Sequence, residues 1–293
     1  MDPAEFLRAS RVVIVAGKGG VGKTTVTAAL AQRAGLLGLR TLIVELDGRS
    51  GLPELFGAPL LGYQPIELAE NVTARTLTPD DALFEYLQDH GLKRVSRRLV
   101  ATGAIDVVAT AAPGIRDILV LGKVKQLERA DVADLILVDA PAAGHAISFL
   151  LSARGLLDAV RVGPIHTQAA EVLELLTDAK RCSVVLVTLP EETPVNELVE
   201  TAFALEDRVG VSLGPVVVNG LYPELDGLDD DPGDDPEADA LLAAATFRRA
   251  RIAQQAEQVA RLVDRLPLAL LRLPFLFEAD LGPEHVAHLA GHL

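Results

Sequence analysis

The nine residues GKGGVGKTT, Gly17 to Thr25, constrain this chain more than any other stretch. They stand between an apolar, β-branched run, Val12 to Ala16, that suits a buried parallel strand, and a helical pattern, Val26 to Leu37. Strand, glycine-rich turn and helix N-terminus make up the setting in which G-x-x-x-x-G-K-[ST] cradles a phosphate. A glycine-rich turn with an exposed lysine is the bland alternative, and the flanking strand and helix argue against it. Gly17, Gly19, Gly20 and Gly22 lack a Cβ, so the backbone can take unusual dihedrals and aim its N–H groups at one anion. The positive end of the following helix adds to that pull. The candidate phosphate-binding residues are therefore Gly17, Gly19, Gly20, Val21, Gly22, Lys23, Thr24 and Thr25. On this pattern Lys23 sits on the β- and γ-phosphates and the Thr24 hydroxyl on Mg²⁺, which makes a nucleoside triphosphate with Mg²⁺ the expected ligand.

Lys18 sets this loop apart. An ordinary phosphate loop does not need a lysine directly after its first glycine, and a flexible cation there can reach the phosphates of a facing subunit. GKGGVGKTT resembles the deviant Walker A of the MinD/ParA/ArsA group of dimeric ATPases, in which this lysine acts in trans. The resemblance implies an α/β fold: a doubly wound, mostly parallel sheet flanked by helices, with a helical insertion. One P-loop ATPase domain over residues 1–293 is expected, with a helical subregion at 79–130. The phosphate loop does not recur, so one nucleotide site per chain is encoded.

Composition agrees with an α/β globule, at 49% hydrophobic and 23% charged residues. A bilayer-spanning helix needs roughly twenty apolar residues. The longest charge-free stretch, Val209 to Pro223, is fifteen residues and contains glycine and proline. Neither an integral membrane segment nor a signal peptide is expected. Cys182 stands alone, which excludes an internal disulfide and a four-cysteine zinc site and leaves the cytoplasm as the expected compartment. The formal charge of −14 argues against a nucleic-acid partner. Glu224 to Asp239 carries nine acids and no base, which suits a solvated, flexible loop at 224–239 whose like charges repel. An EF-hand calcium loop does not fit, because the regular Asp-x-Asp-x-Asp-Gly alternation and the closing Glu are missing.

Further candidates fall at the ends of apolar runs. Asp47 follows the run Thr41 to Glu45, on the edge where parallel sheets place ligands. It is either a turn aspartate before Gly48 or a carboxylate that orients water at a γ-phosphate and helps hold Mg²⁺. TLIVELDGRSGLPELFG resembles the switch I region of ArsA-type ATPases, although Gly48, Arg49 and Ser50 replace the usual Pro-Ala-His. Asp139 closes the buried run Leu135 to Val138 in the Walker B arrangement, where a carboxylate accepts from a Mg²⁺-bound water. The residues after it, DAPAAGHAISFLL, resemble that family's switch II, which implies that the Gly144 N–H contacts the γ-phosphate. His145 is expected to act as a hinge hydrogen-bonder and not as a base.

The periodicity also predicts a strand near Asn71 to Thr76 and helical segments between Asp80 and Arg129, broken at Gly91, Gly103 and Pro113-Gly114. Lys93, Arg94, Arg97 and Arg98 make a local basic cluster, most simply a solvated helix face. PGIRDILVLGKVKQL resembles the family's Pro-Gly-x-x-Glu helix, part of the region that meets clients, with Asp117 replacing glutamate. A helix over Thr193 to Val209 with a cap and Pro194 in its first turn follows a strand at Val184 to Thr188. Asn219, directly after a strand at Val216 to Val218, is a turn residue before Gly220 or an amide that reads an adenine edge. VVVNGLYP resembles the family's adenine-contacting strand end, which favours the second reading. FRRARIAQQAEQVARL resembles its Arg-x-x-x-Gln helix, with Arg251 and Gln255 one turn apart. Pro274 and Phe275 stand where the family has its adenine-covering loop. The zinc-bridging Cys-x-x-Cys of tail-anchor-targeting members is absent, and His285, His288 and His292 do not space as metal ligands.

The resemblance thus implies a Mg²⁺-dependent ATPase with Lys18, Lys23, Asp47 and Asp139 as catalytic residues and Thr24, Asp47 and Asp139 around the metal. Gly144, Asn219, Arg251, Pro274 and Phe275 complete the nucleotide contacts. The expected partners are a second subunit, identical or paralogous as in the paired actinobacterial ArsA-like ATPases, and a protein client. A positioning ATPase of the ParA/MinD kind needs a basic DNA face or a basic amphipathic C-terminal helix, and this chain ends PEHVAHLAGHL. A non-hydrolysing ATP-binding adaptor for a paralogous subunit is the other alternative. Arsenite is set aside as cargo because its site needs clustered thiols.

Overall fold

Strand β1, Val12–Gly17, lies at the centre of the molecule, and all of its residues are buried. The computed structural model describes residues 3–46, 51–89, 114–140, 143–230, 233 and 237–293. Helix α1, Pro3–Ala9, precedes β1, and the following units run α2 (Lys23–Leu36), β2 (Thr41–Leu46), α3 (Leu52–Leu55), β3 (Ile66–Ala69) and β4 (Val72–Leu77). Next come α4 (Pro79–Asp89), α5 (Ile115–Arg129), β5 (Leu135–Asp139), α6 (Ala143–Ala159) and α7 (Pro164–Thr177). The chain then forms β6 (Cys182–Thr188), α8 (Glu192–Arg208), β7 (Leu213–Leu221), α9 (Ala238–Arg265), β8 (Leu270–Pro274) and α10 (Pro283–Ala290).

The described residues form one eight-stranded sheet in the order β3-β4-β2-β5-β1-β6-β7-β8. Every neighbouring pair is parallel except β3 and β4, which run antiparallel at one edge. Strands covered on both faces read as continuous apolar runs, which is why VVIVA, LILV and SVVLV carry no alternation. Successive residues nonetheless feed two cores: Val12, Ile14 and Ala16 face one cluster with residues of α5 to α8, while Val13 and Val15 face another with residues of α1, α2 and α10. From β1 the chain leaves towards β2 on one side, and it later reaches β6 on the other. In such a sheet the crevice at the C-terminal ends of the strands beside that reversal is where ligands sit.

Several boundaries differ from the sequence expectation. The short edge strand β3 carries little signal of its own. Strand β7 continues through Asn219 to Leu221, so the asparagine lies inside the strand and not after it. Helix α8 begins at Glu192, with Glu191 in extended conformation before it and no side-chain cap bond, which puts Thr193 within the first turn. Helix α4 is capped by Thr78, whose Oγ1 accepts the Asp81 N–H at 3.2 Å and donates to Asp81 Oδ2 at 2.6 Å. Gly91, Gly103, Pro113 and the basic cluster at Lys93, Arg94, Arg97 and Arg98 lie outside the described residues.

Candidate functional site

The GKGGVGKTT loop joins the C-terminal end of β1 to the first turn of α2. Gly20 and Gly22 have φ of 84° and 85°, a region that costs an L-residue with a Cβ about 1–2 kcal/mol. A Cβ at Gly17 would stand 2.5 Å from the Val187 carbonyl oxygen, so the close pairing of β1 with β6 also requires glycine. Helix α2 starts at Lys23 with Gly22 as its N-cap and no side-chain bond to the first N–H groups. Its first intrahelical bond is Val26 N–H to Gly22 O at 2.9 Å, so the N–H groups of the opening turn are left for an anion.

Lys23 folds back over the loop, its Nζ donating to the Lys18 carbonyl at 3.1 Å. Burial lowers its pKa from the usual lysine value, while nearby Asp139 acts in the opposite sense. Thr24 Oγ1 donates to Asp139 Oδ2 at 2.7 Å, and the other carboxylate oxygen, Oδ1, is buried without a partner. Burial pushes the Asp139 carboxyl up to about 6; the Thr24 bond and the Lys23 charge oppose the rise, and buried Glu45 adds to it. Glu45 is paired in register with Asp139 on the adjacent strand and accepts from Thr76 Oγ1 at 2.7 Å.

A hydroxyl touching a carboxylate, beside an unpaired buried anionic oxygen, fits a hard divalent cation held largely through water and substrate phosphates. Thr24 and Asp139 would hold Mg²⁺ there. Among the described residues no group of three or more His, Cys, Asp and Glu side chains assembles a metal site of its own.

Lys18 points away from its own loop. Its Nζ pairs with Glu197 Oε1 on α8 at 2.5 Å, and both side chains are partly exposed. Asn219 Nδ2 donates to the Val21 carbonyl at 2.9 Å, so this amide braces the phosphate loop from β7. Gln255, buried on α9, in turn braces the end of β7: its Nε2 donates to Gly220 O at 3.0 Å and its Oε1 accepts the Tyr222 N–H at 2.8 Å. Arg251 shares that helix and pairs with Glu191. Pro274 ends β8, and the Phe275 ring packs 5.1 Å from Tyr222 and 4.9 Å from Phe277. The structure therefore brings Lys23, Thr24, Asp139 and Asn219 together around the loop. Gly144 falls in the first turn of α6. Asp47, Gly48, Arg49 and Ser50 lie outside the described residues.

Sequence reasoning missed two acids. Glu197 carries no motif, since it meets Lys18 only through the packing of α8 beside β6. Glu45 did leave a trace, a charged residue next to the end of an otherwise largely apolar strand, two positions before Asp47.

The profile of the anion-transporting ATPase family matches residues 10–163, the part that holds the phosphate loop, Asp139 and Gly144. The ATPase BagA of Mycobacterium tuberculosis is 33% identical over 93% of this chain and 89% of its own length. A protein of Halobacterium salinarum named as an arsenical pump-driving ATPase is 28% identical over 93% of this chain and 42% of its own. A similarly named protein of Aquifex aeolicus is 26% identical over 73% of this chain and 81% of its own. With more than half of its residues under the family profile and a relative matched over nearly its whole length, this chain belongs to the anion-transporting, ArsA-type ATPase family.

Proposed function

We propose that this chain binds ATP with Mg²⁺ at Gly17 to Thr25 and hydrolyses it as a cytoplasmic, two-subunit switch acting on a protein client. The observation that carries the reading is the contact of Thr24 with Asp139, whose second oxygen is buried and unpaired, beside an uncapped helix N-terminus. Loop N–H groups from Gly19 to Thr25 grip the phosphates, and Lys23, already folded over the loop, turns to their oxygens. When bound, Mg²⁺ would supply charge neutralisation at the phosphates. Asp139 and Thr24 would hold the ion, Asp47 places the attacking water, and the Gly144 N–H senses the γ-phosphate. Asn219, Arg251, Pro274 and Phe275 border the base.

In the facing subunit, identical or paralogous, Lys18 supplies positive charge in trans. It must first leave Glu197, and that exchange is cheap, because a partly exposed ion pair contributes only about 0–1 kcal/mol. Residues 1–293 act in this reading as one ATPase unit, with 79–130 carrying the client surface. Binding of fluorescent ATP and turnover, measured with and without EDTA, test it on two variants. Lys23→Ala is expected to lose nucleotide binding. Lys18→Ala is expected to keep binding and lose turnover by orders of magnitude, as removal of a trans cation does in other phosphoryl-transfer enzymes. Retained binding in the first, unchanged turnover in the second, or turnover indifferent to EDTA contradicts the proposal.

A further inference from the structure

Beyond Asn219 the surface carries a groove that nucleotide binding does not use. It encloses about 540 Å³ between the N-terminal half of α9 and residues 225–230. Its apolar lining is Leu225, Leu228, Leu241, Leu242, Phe247 and Phe277. Leu241, Leu242, Phe247 and Phe277 are between 45 and 64% exposed. Large apolar side chains gathered in one groove, instead of scattered singly, mark an interaction site.

The walls are fastened. Arg248 Nη2 donates to Pro223 O at 2.7 Å, and its guanidinium lies 5.1 Å from the Phe277 ring centroid. Arg249 Nη1 donates to Leu228 O at 2.8 Å and to Asp229 Oδ1 at 2.6 Å. These two arginines hold the residues before α9 against that helix, and the groove-lining rings of Tyr222 and Phe277 pack on each other and on Phe275 behind them.

Charge decides the occupant. Asp226 and Asp230 line the groove, within a stretch of nine acids and no base, and Arg248 and Arg249 are already engaged by the loop. A second copy would bring the same acidic run against itself, which like-charge repulsion opposes. We propose that the groove docks an amphipathic helix of another protein, apolar on one face and flanked by lysine or arginine. The docked helix would lie on Tyr222, three residues past the asparagine that braces the phosphate loop, and so next to the nucleotide site. This inference does not depend on hydrolysis or on a trans lysine.

The test uses the full chain and two fluorescent peptides with identical leucine spacing, one filled with lysine and the other with glutamate. Anisotropy is expected to show binding of the lysine peptide alone. Leu241→Ser with Phe247→Ser, which leaves the charge intact, is expected to weaken it by at least about tenfold, since two apolar anchors are lost. Asp226→Asn with Asp230→Asn is expected to weaken it too and to flatten its salt dependence. The proposal fails if the lysine peptide does not bind, if the glutamate peptide binds as well, or if the serine variant binds unchanged, which would mean general charge attraction. It also fails if sedimentation shows that the serine variant abolishes self-association, because the groove would then be covered by a second copy.

Discussion

Replacing Gly22 by alanine puts a methyl group where the structure has no room for one. The backbone there has φ of 85°, and the added Cβ would stand 2.3 Å from Asn219 Nδ2. Two costs follow, and they can be separated. The left-handed backbone costs about 1–2 kcal/mol for any residue with a Cβ. The contact falls on the end of a side chain, so the amide can swing aside, but only by giving up its bond to the Val21 carbonyl, which contributes about 0.5–1.5 kcal/mol. Gly22→Ala should therefore cost roughly 1.5–3.5 kcal/mol in the wild-type background. With Asn219→Ala already present, only the backbone cost of about 1–2 kcal/mol remains. Urea unfolding of the two single variants, the double variant and the parent closes the cycle, with an expected coupling of roughly 1 kcal/mol. A Gly22→Ala cost below about 0.5 kcal/mol would refute the backbone argument. An equal cost in both backgrounds would refute the role of Asn219 as a brace.

Two further outcomes are open to direct measurement. Because burial raises Asp139 to about 6 from 3.8, the nucleotide-free fold gains from its protonation at low pH and loses that gain as pH rises through about 6. Asp139→Asn is thus expected to stabilise the apo protein at neutral pH and to leave it unchanged near pH 3.5, while removing any stabilisation by ATP with Mg²⁺; equal destabilisation across that range counts against the buried, unpaired carboxylate. Gln255→Ala leaves Gly220 O and Tyr222 N–H without their partner in a part-buried position and is expected to lower stability by about 1–3 kcal/mol. Its nucleotide affinity should fall as well, because the strand end that carries Asn219 loses its clamp. Unchanged affinity in a destabilised variant would confine Gln255 to the fold.

A chain of hydrogen bonds and ion pairs links these positions. The phosphate loop is held from β7 by Asn219, β7 from α9 by Gln255, and α9 from the start of α8 by the Arg251 pair with Glu191. Helix α8 also carries Glu197, the partner of Lys18. A displacement of α8 would act on both the Arg251 pair with Glu191 and the Lys18 pair with Glu197. Among the described residues no helix is long and apolar enough to cross a membrane, in line with the charge-free stretches of the sequence.

The sequence by itself determined the phosphate loop, the positions along the chain of the main strands and several of their helices, and the placing of Lys23, Thr24 and Asp139 at the ends of the first and third apolar runs. Those features are local: a buried parallel strand must be apolar along its whole length, and a loop that turns its N–H groups to an anion must be glycine-rich. The helical spacing of Arg251 and Gln255 was legible in the same way, and both stand on α9. Only the tertiary structure decided what Lys18 and Asn219 touch, since their partners lie 179 and 198 residues away along the chain. It also decided that Glu45 lies beside Asp139 and that exposed leucines and phenylalanines from three segments share one groove. Strand register and helix packing set those meetings, and neither leaves a periodic mark in the amino-acid order.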